Sequence, residues 1–430
     1  HLGVIILIDE LDKVVGIATD GDIRRQLVIN QDLSMPISTC ANFDFISAKE
    51  DTPRELLLKQ LDHKIKIIPV VDKTGKFISV VTRDFIPEKV EKSVFARAKS
   101  PVRISFGGGG SDTSSYFAEN KAAVINATIS LFSHATLKVR QDSKICISSL
   151  DLDDSIEFEN IQLLNSYHGK FSLIAAVIKA VNPSFGFELF LYSDFPLSSG
   201  LGGSAVVTSS ILGCFNQFRN DKWDKHDISE IAFQAERLHM GIAGGWQDQY
   251  ATVFGGLNFM EFNSDQNIIT PIRLNSETIV ELEESLLLCY TGYTHDSGNI
   301  HSDQKEQLKK SKVKDLIQMN VDLTYKMRNF LLRGRLTDFG ACLHETWELK
   351  KGFSSKISNP LLDEIYYGAL NNGAIGGKIL GAGGGGYFLF YVPAFERIKL
   401  MNWLKGKGMN CTPFIFENQG LQSWKVRENQ

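Results

Sequence analysis

A chain of 430 residues with 43% hydrophobic and 22% charged side chains has an ordinary globular composition and the length for two or three domains with a substantial core. Its formal net charge of −4 argues against bulk electrostatic binding to nucleic acid or an anionic membrane. No apolar run approaches the roughly 20 residues that span a bilayer, and no signal peptide is visible. The six cysteines lack a Cys-x-x-Cys pair or a histidine at ligand spacing. They read as buried thiols in a reducing, cytoplasmic protein rather than as zinc ligands or a disulfide framework. The chain opens on His1 rather than Met with its first apolar run under way, and reads as incomplete at that end.

The N-terminal region repeats itself. Leu7-Ile8-Asp9 through Thr19 and Val70-Val71-Asp72 through Thr82 both read strand, polar turn, strand, threonine, at a constant offset of 63 residues. Fixed spacing of this kind marks two copies of one supersecondary unit. It resembles a tandem pair of CBS domains over 1–88, the first copy lacking its opening strand and helix. In that family Thr-x-x-Asp holds an adenosine ribose. The first copy has it as Thr19 to Asp22, while the second reads Thr82-Arg83-Asp84-Phe85 and loses the acid. Two roles stay open: an adenine-nucleotide site at Thr19 and Asp22, or a packing or homodimerising module without a ligand. Residues 89–100, charged and set between Pro87 and Pro101, read as a linker.

From Pro101 a short strand carries Arg103 into Gly107-Gly108-Gly109-Gly110-Ser111-Asp112. Asp112 can cap a helix over Thr113 to Asn120. Ala122 to Val139 and Lys144 to Ser149 alternate as sheet, and Phe171 to Val181 is helical. The alternating run Phe185 to Phe195 then leads through Pro196-Leu197-Ser198-Ser199-Gly200-Leu201-Gly202-Gly203-Ser204-Ala205 into a buried helix from Val206 to Phe218. The free N–H groups and dipole of such a helix start favour a phosphate; the other reading is a plain tight turn. The loop lacks the Lys-Ser/Thr ending of a P-loop.

Ile228 to Met240 has the spacing of an amphipathic helix, with Asp227 to cap it. Glu236 falls beside its buried stripe, where a carboxylate needs a partner; Arg237 is one choice. Gly244-Gly245-Trp246-Gln247-Asp248-Gln249 follows. Trp246 either stacks on a ligand or packs, and Asp248 also suits a turn. Cys289-Tyr290-Thr291-Gly292 ends a strand, with His295 and His301 the nearest basic residues after it. Lys305 to Arg335 reads as a charged helical stretch, a solvated face. On the next helix His344, Trp347 and Lys351 share a face. Gly381-Ala382-Gly383-Gly384-Gly385-Gly386 precedes the strand Tyr387 to Val392, so it is no Rossmann fingerprint.

Taken in order, the loops at 107–112, 196–205 and 376–386 resemble the three motifs of the GHMP kinases, across 101 to about 390. The resemblance implies an α+β, two-lobed GHMP kinase fold over 101–430, with an N-lobe to about 285 and a C-lobe from about 286, behind the CBS-like α/β domain. It implies ATP phosphates on Gly200, Leu201, Gly202, Gly203, Ser204 and Ala205, with Mg²⁺ on Ser204 and Glu236. Asp248 is implied as the catalytic carboxylate, Arg103 as the cation stabilising the transferring phosphoryl, and 376–386 as backing for the phosphate site. Gly109, Gly110, Ser111, Asp112, Trp347 and Lys351 are implied on the sugar side, with Lys350 the alternative to Lys351. The glycine-rich first motif points to the anomeric sugar kinases. Their reaction is phosphorylation of C1, first of D-glycero-α-D-manno-heptose 7-phosphate to the 1,7-bisphosphate, otherwise of a free hexose such as L-fucose or mannose. A non-catalytic nucleotide or sugar sensor is the remaining reading.

Overall fold

The N-terminal sequence repeat is a repeat of structure. The antiparallel pair Val4–Ile8 and Val14–Thr19 recurs as Ile67–Val71 and Phe77–Thr82. An aspartate shapes each turn: Asp9 Oδ1 accepts from the N–H groups of Leu11 (2.9 Å) and Lys13 (2.8 Å), Asp72 Oδ1 from those of Thr74 (2.7 Å) and Lys76 (2.9 Å), the local bonding that favours aspartate in turns. The two turns also pair with each other. Lys13 bridges Lys76, the Val14 N–H donates to Gly75 O (3.1 Å) and the Phe77 N–H to Asp12 O (3.3 Å), so equivalent positions meet about a local two-fold axis. Only the second copy has a preceding strand, Ala48–Lys49, and helix, Arg54–Gln60, among the described residues.

The computed structural model describes residues 3–61, 65–82, 85, 93–293, 297–308 and 310–427, without the side chains at 93, 94, 297–299, 301, 305 and 427. Arg83, Asp84, His295 and the His301 side chain therefore lie outside the described residues. The chain divides into two units, His1–Lys92 and Ser93–Gln430.

The second unit begins earlier than its prolines indicate. Ser93–Gly107 is one strand, so residues 93–100 are sheet and not linker. The alternation that buries Ala96, Ala98 and Ser100 is the signal that the charged residues between them obscure. Pro101 is accommodated because the register slips between Pro101 and Arg103, a bulge where a missing N–H does little harm. The strand pairs with Ala122–Val139, whose other neighbours are Phe187–Ser193 and Leu257–Phe262. Ile145–Ser149, parallel to Phe187–Ser193, and Asp154–Phe158 extend one edge, and Asn267–Pro271 closes the other. The last strand, Gln422–Arg427, returns to pair with Ser93–Gly107. Residues 422–427 thus belong to the first sheet rather than to the C-lobe.

In Phe187–Ser193, Phe187, Leu189 and Leu191 are buried while Glu188, Phe190 and Tyr192 face outward. The inward set packs with Ile211 and Phe215 of helix Gly203–Asn216 and with Ile178 of helix Ser172–Val181. A second, antiparallel sheet runs Gly376–Ile379, Tyr387–Tyr391, Leu286–Tyr290, Asn410–Thr412. One core joins the two sheets: Phe106, Val124 and Phe259 from the first cluster with Leu287 and Phe388 from the second and with Trp347 of helix Leu336–Lys351. Helix Ser311–Leu332 enters this core through Val313, Ile317, Val321, Met327 and Leu331. That corrects the reading of 305–335 as a solvated face; its apolar stripe is diluted in sequence by the lysines between. Among the described residues no helix is long and apolar enough to cross a membrane.

Candidate active site

The turn after Phe187–Ser193 brings Gly200 and Gly202 to φ +81° and +80° and starts helix Gly203–Asn216. These left-handed conformations favour glycine. The first-turn N–H groups of that helix have no intrahelical acceptors and carry the positive end of its dipole. The loop at 376–386 lies directly against this turn. A Cβ on Gly381 would stand 2.7 Å from Gly200 O, and the Tyr387 N–H donates to Ser199 O (3.1 Å). Backing of the glycine turn is thus direct backbone packing, which leaves no room for side chains.

Beside the turn, Arg103 and Asp248 form a two-point ion pair, Nε to Oδ1 at 2.8 Å and Nη2 to Oδ2 at 2.9 Å, while Nη1 donates to Gly200 O at 2.7 Å. The planar fork fixes the carboxylate's orientation. Asp248 comes from the first turn of helix Gln247–Phe254, and its side chain keeps 25% exposure against 5% for Arg103. Asp112 stands on the same pocket. Its carboxylate accepts from the N–H groups of Gly110 (3.1 Å) and Gln247 (3.2 Å) and does not cap the following helix. That helix is only Ser114–Phe117 with Thr113 at its N-cap. A Cβ on Gly245 would overlap Asp112 Oδ2 at 1.8 Å, so glycine there is what admits the acid. Burial, and then the nearby Asp248 charge, push the Asp112 carboxyl above the usual range.

Glu236 is reached differently from the uniform helix expected over 228–240. Helix Lys225–Phe233, capped by Asp224 with Asp227 completing the capping box, gives way to a π-helical turn over Gln234–His239. Glu236 lies within this wider turn and is fully buried, at 0% exposure. Its Oε2 accepts from Ser204 Oγ (2.6 Å) and its Oε1 from Gln249 Nε2 (2.9 Å), with Arg237 Nη1 farther off at 3.9 Å. Burial raises this carboxyl, against the lowering influence of Arg237, Ser204 and Gln249.

The family this fold resembles uses Mg²⁺ with its nucleotide, and the residues fit that ion. Two hard oxygens, from Ser204 and a buried carboxylate whose nearest cation, Arg237, stands 3.9 Å off, flank an anion-binding turn. Mg²⁺ takes few protein ligands and fills its octahedron with water and phosphate oxygens. Among the described residues no cluster of three or more His, Cys, Asp or Glu offers an all-protein cage.

The pocket in front of these groups is lined by Arg103, Gly110, Asp112, Arg237, Asp248 and Lys350, among others. Gly109 also borders it, whereas Ser111 is buried behind it with its hydroxyl on Gly108 O (2.7 Å). Two expected sugar-side residues lie elsewhere. Trp347 is 0% exposed and packs on Tyr366 and Phe388. Lys351 Nζ meets Tyr367 Oη (2.8 Å) and Glu348 (2.8 Å). The shared face of His344, Trp347 and Lys351 turns toward helix Pro360–Asn371, where His344 Nδ1 pairs with Tyr366 Oη (2.7 Å). Lys350, one residue over, is the lysine that enters the pocket. A signal existed: Phe339, Leu343, Thr346 and Lys350 continue one buried stripe. Lys378, the one charged residue of the third glycine segment, also lines the pocket and is buried with Nζ on Phe106 O (3.2 Å). Trp246 packs: its ring stacks on Phe233 at 3.7 Å and Nε1 donates to Ser114 Oγ (3.2 Å).

In the N-terminal unit Thr19 and Asp22 close on each other. Thr19 caps helix Asp20–Asn30, and Asp22 Oδ2 accepts from Thr19 N (2.9 Å) and Oγ1 (2.6 Å) while Oδ1 meets Arg25 (2.5 Å).

An oriented carboxylate facing a pocket, next to a helix start suited to phosphate, is the arrangement of a small-molecule kinase. Comparison with known proteins gives the same class. Residues 171–256 match the GHMP kinases N terminal domain, 327–397 the GHMP kinases C terminal domain and 37–84 the CBS domain. The chain is 34% identical over 336 residues to D-glycero-alpha-D-manno-heptose 7-phosphate kinase of Campylobacter jejuni, covering 77% of this chain and 99% of that one. The structure of a D-glycero-D-manno-heptose 1-phosphate kinase from Bacteroides thetaiotaomicron superposes with TM-score 0.65 at 28% identity, over 77% of this chain and all of that one. A putative sugar kinase from Campylobacter jejuni gives TM-score 0.64 at 31% identity, over 79% and 100% of the two chains. The chain belongs to the GHMP kinases, and it is an ATP-dependent sugar kinase carrying an N-terminal CBS domain.

Proposed function

We propose that the protein transfers the γ-phosphoryl group of ATP to the anomeric hydroxyl of D-glycero-α-D-manno-heptose 7-phosphate, giving the 1,7-bisphosphate. The observation that carries this reading is the Arg103–Asp248 fork set between the glycine turn and the pocket; likeness to a kinase of that sugar supports the substrate. ATP phosphates rest on the turn from Gly200 to Ala205. Mg²⁺, held by Ser204 and Glu236, neutralises phosphate charge when bound. Asp248 accepts a hydrogen bond from the C1 hydroxyl and aligns its oxygen with the γ-phosphorus. Arg103 keeps Asp248 in place and offsets charge that spreads over the phosphoryl oxygens. Asp112, with Gly109 and Gly110, contacts sugar hydroxyls.

The test is Mg²⁺-dependent ADP release over a panel of heptose 7-phosphate, heptose, mannose, fucose and galactose. Turnover confined to heptose 7-phosphate is expected. Turnover on a free hexose alone moves the assignment to that sugar.

A further inference from the structure

Lys350 lies in the last turn of helix Leu336–Lys351. Its side chain is buried at 5% exposure, and its Nζ donates to Gly381 O. An ammonium has three donors, and among the described residues Lys350 makes no ion pair. A buried cation with unmet donors on the wall of a pocket costs free energy unless an anion comes to it.

The surroundings indicate which anion. Gly381 packs on Gly200, whose carbonyl oxygen receives Arg103 Nη1 at 2.7 Å. Lys350 and Arg103 thus hold the two sides of one backbone junction, and Asp248 lies on the outer edge of Arg103. Lys350, Arg103 and Asp248 line the same pocket, so a phosphoryl group that reaches Asp248 there comes between both cations. We infer that Lys350 is a catalytic residue, donating hydrogen bonds to the phosphoryl group in transit, across from Arg103. The inference rests on the kinase assignment and not on which sugar is accepted. In the step, the acceptor oxygen bonds to the γ-phosphorus as that atom's bond to the β,γ-bridging oxygen breaks. ADP leaves with the electron pair, the hydroxyl proton passes to Asp248, and Lys350 keeps its proton throughout.

This role requires the charged form. Burial, and then the Arg103 charge, bring the Lys350 ammonium down to about 8, with Asp112 and Asp248 pulling the other way. Lys378, whose proton affinity is lowered by burial and then by the Lys350 and Arg103 charges, is the other titratable group facing it.

Three measurements on Lys350→Met and Lys350→Arg decide the matter: steady-state kinetics, a pH profile, and calorimetry of ADP·Mg²⁺ with and without aluminium fluoride, a mimic of the phosphoryl in flight. Lys350→Met is expected to lower kcat roughly 100-fold or more, leave ADP affinity within about threefold, and abolish the fluoride-dependent gain in affinity. Lys350→Arg restores part of kcat, and the fall in kcat/KM above pH 8 disappears because guanidinium stays charged. Unaltered kcat in Lys350→Met overturns the inference, as does an equal loss of affinity with and without fluoride, or a falling limb that persists in Lys350→Arg. If no sugar of the panel is turned over, the fluoride-dependent gain in ADP affinity still tests Lys350, so failure of the substrate assignment is separable.

Discussion

Arg103 and Asp248 lie 145 positions apart in the chain and meet through two parallel hydrogen bonds, Nε–Oδ1 at 2.8 Å and Nη2–Oδ2 at 2.9 Å. The third guanidinium nitrogen is on Gly200 O. One side chain therefore ties the carboxylate to the phosphate-binding turn, and the distance between acceptor and donor sites is set by arginine's rigid plane. Asp248→Asn keeps the shape, loses the charge and leaves one of the two Arg103 donors without an oxygen. Turnover should fall roughly 100- to 1,000-fold while ATP binding by calorimetry stays close to that of the unmodified protein. Arg103→Lys cannot reproduce the fork and should lose nearly as much rate. Full turnover in Asp248→Asn would remove that residue from the chemistry.

Glu236 presents the opposite case, a carboxylate kept where it destabilises the fold. Its proton affinity is raised, chiefly by burial, so between the unfolded value near 4.3 and the higher folded value the native state holds more protons than the unfolded one. Stability from this group falls as pH rises through that window. Glu236→Gln should match the parent in melting temperature at pH 4. It should melt progressively higher than the parent as pH increases, reaching a constant difference above the folded value. With Mg²⁺ and ATP the order should reverse, because only the parent gains ligand stabilisation in full. A melting difference independent of pH would mean that the buried charge is not the cause.

The sequence exposes the glycine turns, the ordered motifs and most strands, because each is a local signal. Phe187–Ser193 alternates visibly, and the positive φ of Gly200 and Gly202 falls on glycines the sequence displays. What it conceals depends on rotation about helix axes and on partners far off. Lys350 and Lys351 are indistinguishable as letters, and only the stripe through Leu343 and Thr346 separates them. The π-helical turn at Gln234–His239 is invisible to a 3.6-residue period, although that period already sets Glu236 beside the buried stripe. Asp112 looks like a cap because acids often precede helices; the N–H of Gln247, donating to it from a remote segment, is the partner that matters.

Gly381→Ala tests whether the third glycine segment shapes the phosphate turn. The added methyl would meet Gly200 O and Cα at 2.7 Å, in a backbone held at φ +67°. Strain of this sort costs about 1–3 kcal/mol and is relieved most easily by displacing the turn. ATP affinity should drop roughly tenfold or more, with a modest loss in melting temperature and CD unchanged. Unaltered ATP affinity would show that the turn holds its shape without this contact.

The same variant gives a clean background for the CBS region. Burial acts to raise the Asp22 carboxyl, but hydrogen bonds from Thr19 and the Arg25 charge outweigh it and hold the group below its usual range. Its stabilising contribution is present above the unfolded value and is lost as pH falls through the folded one. Asp22 is therefore already committed as the N3 acid of the capping box on Asp20–Asn30, and Asp22→Ala should cost that unit about 0.5–1.5 kcal/mol. A ribose that displaced the exposed Arg25 could still reach Oδ1. In Gly381→Ala, where the kinase site binds nucleotide weakly, AMP titrated by calorimetry should bind at least tenfold more weakly once Asp22→Ala is added. Binding that is indifferent to Asp22 would leave the acid as a helix cap alone and point to packing as the role of the repeat.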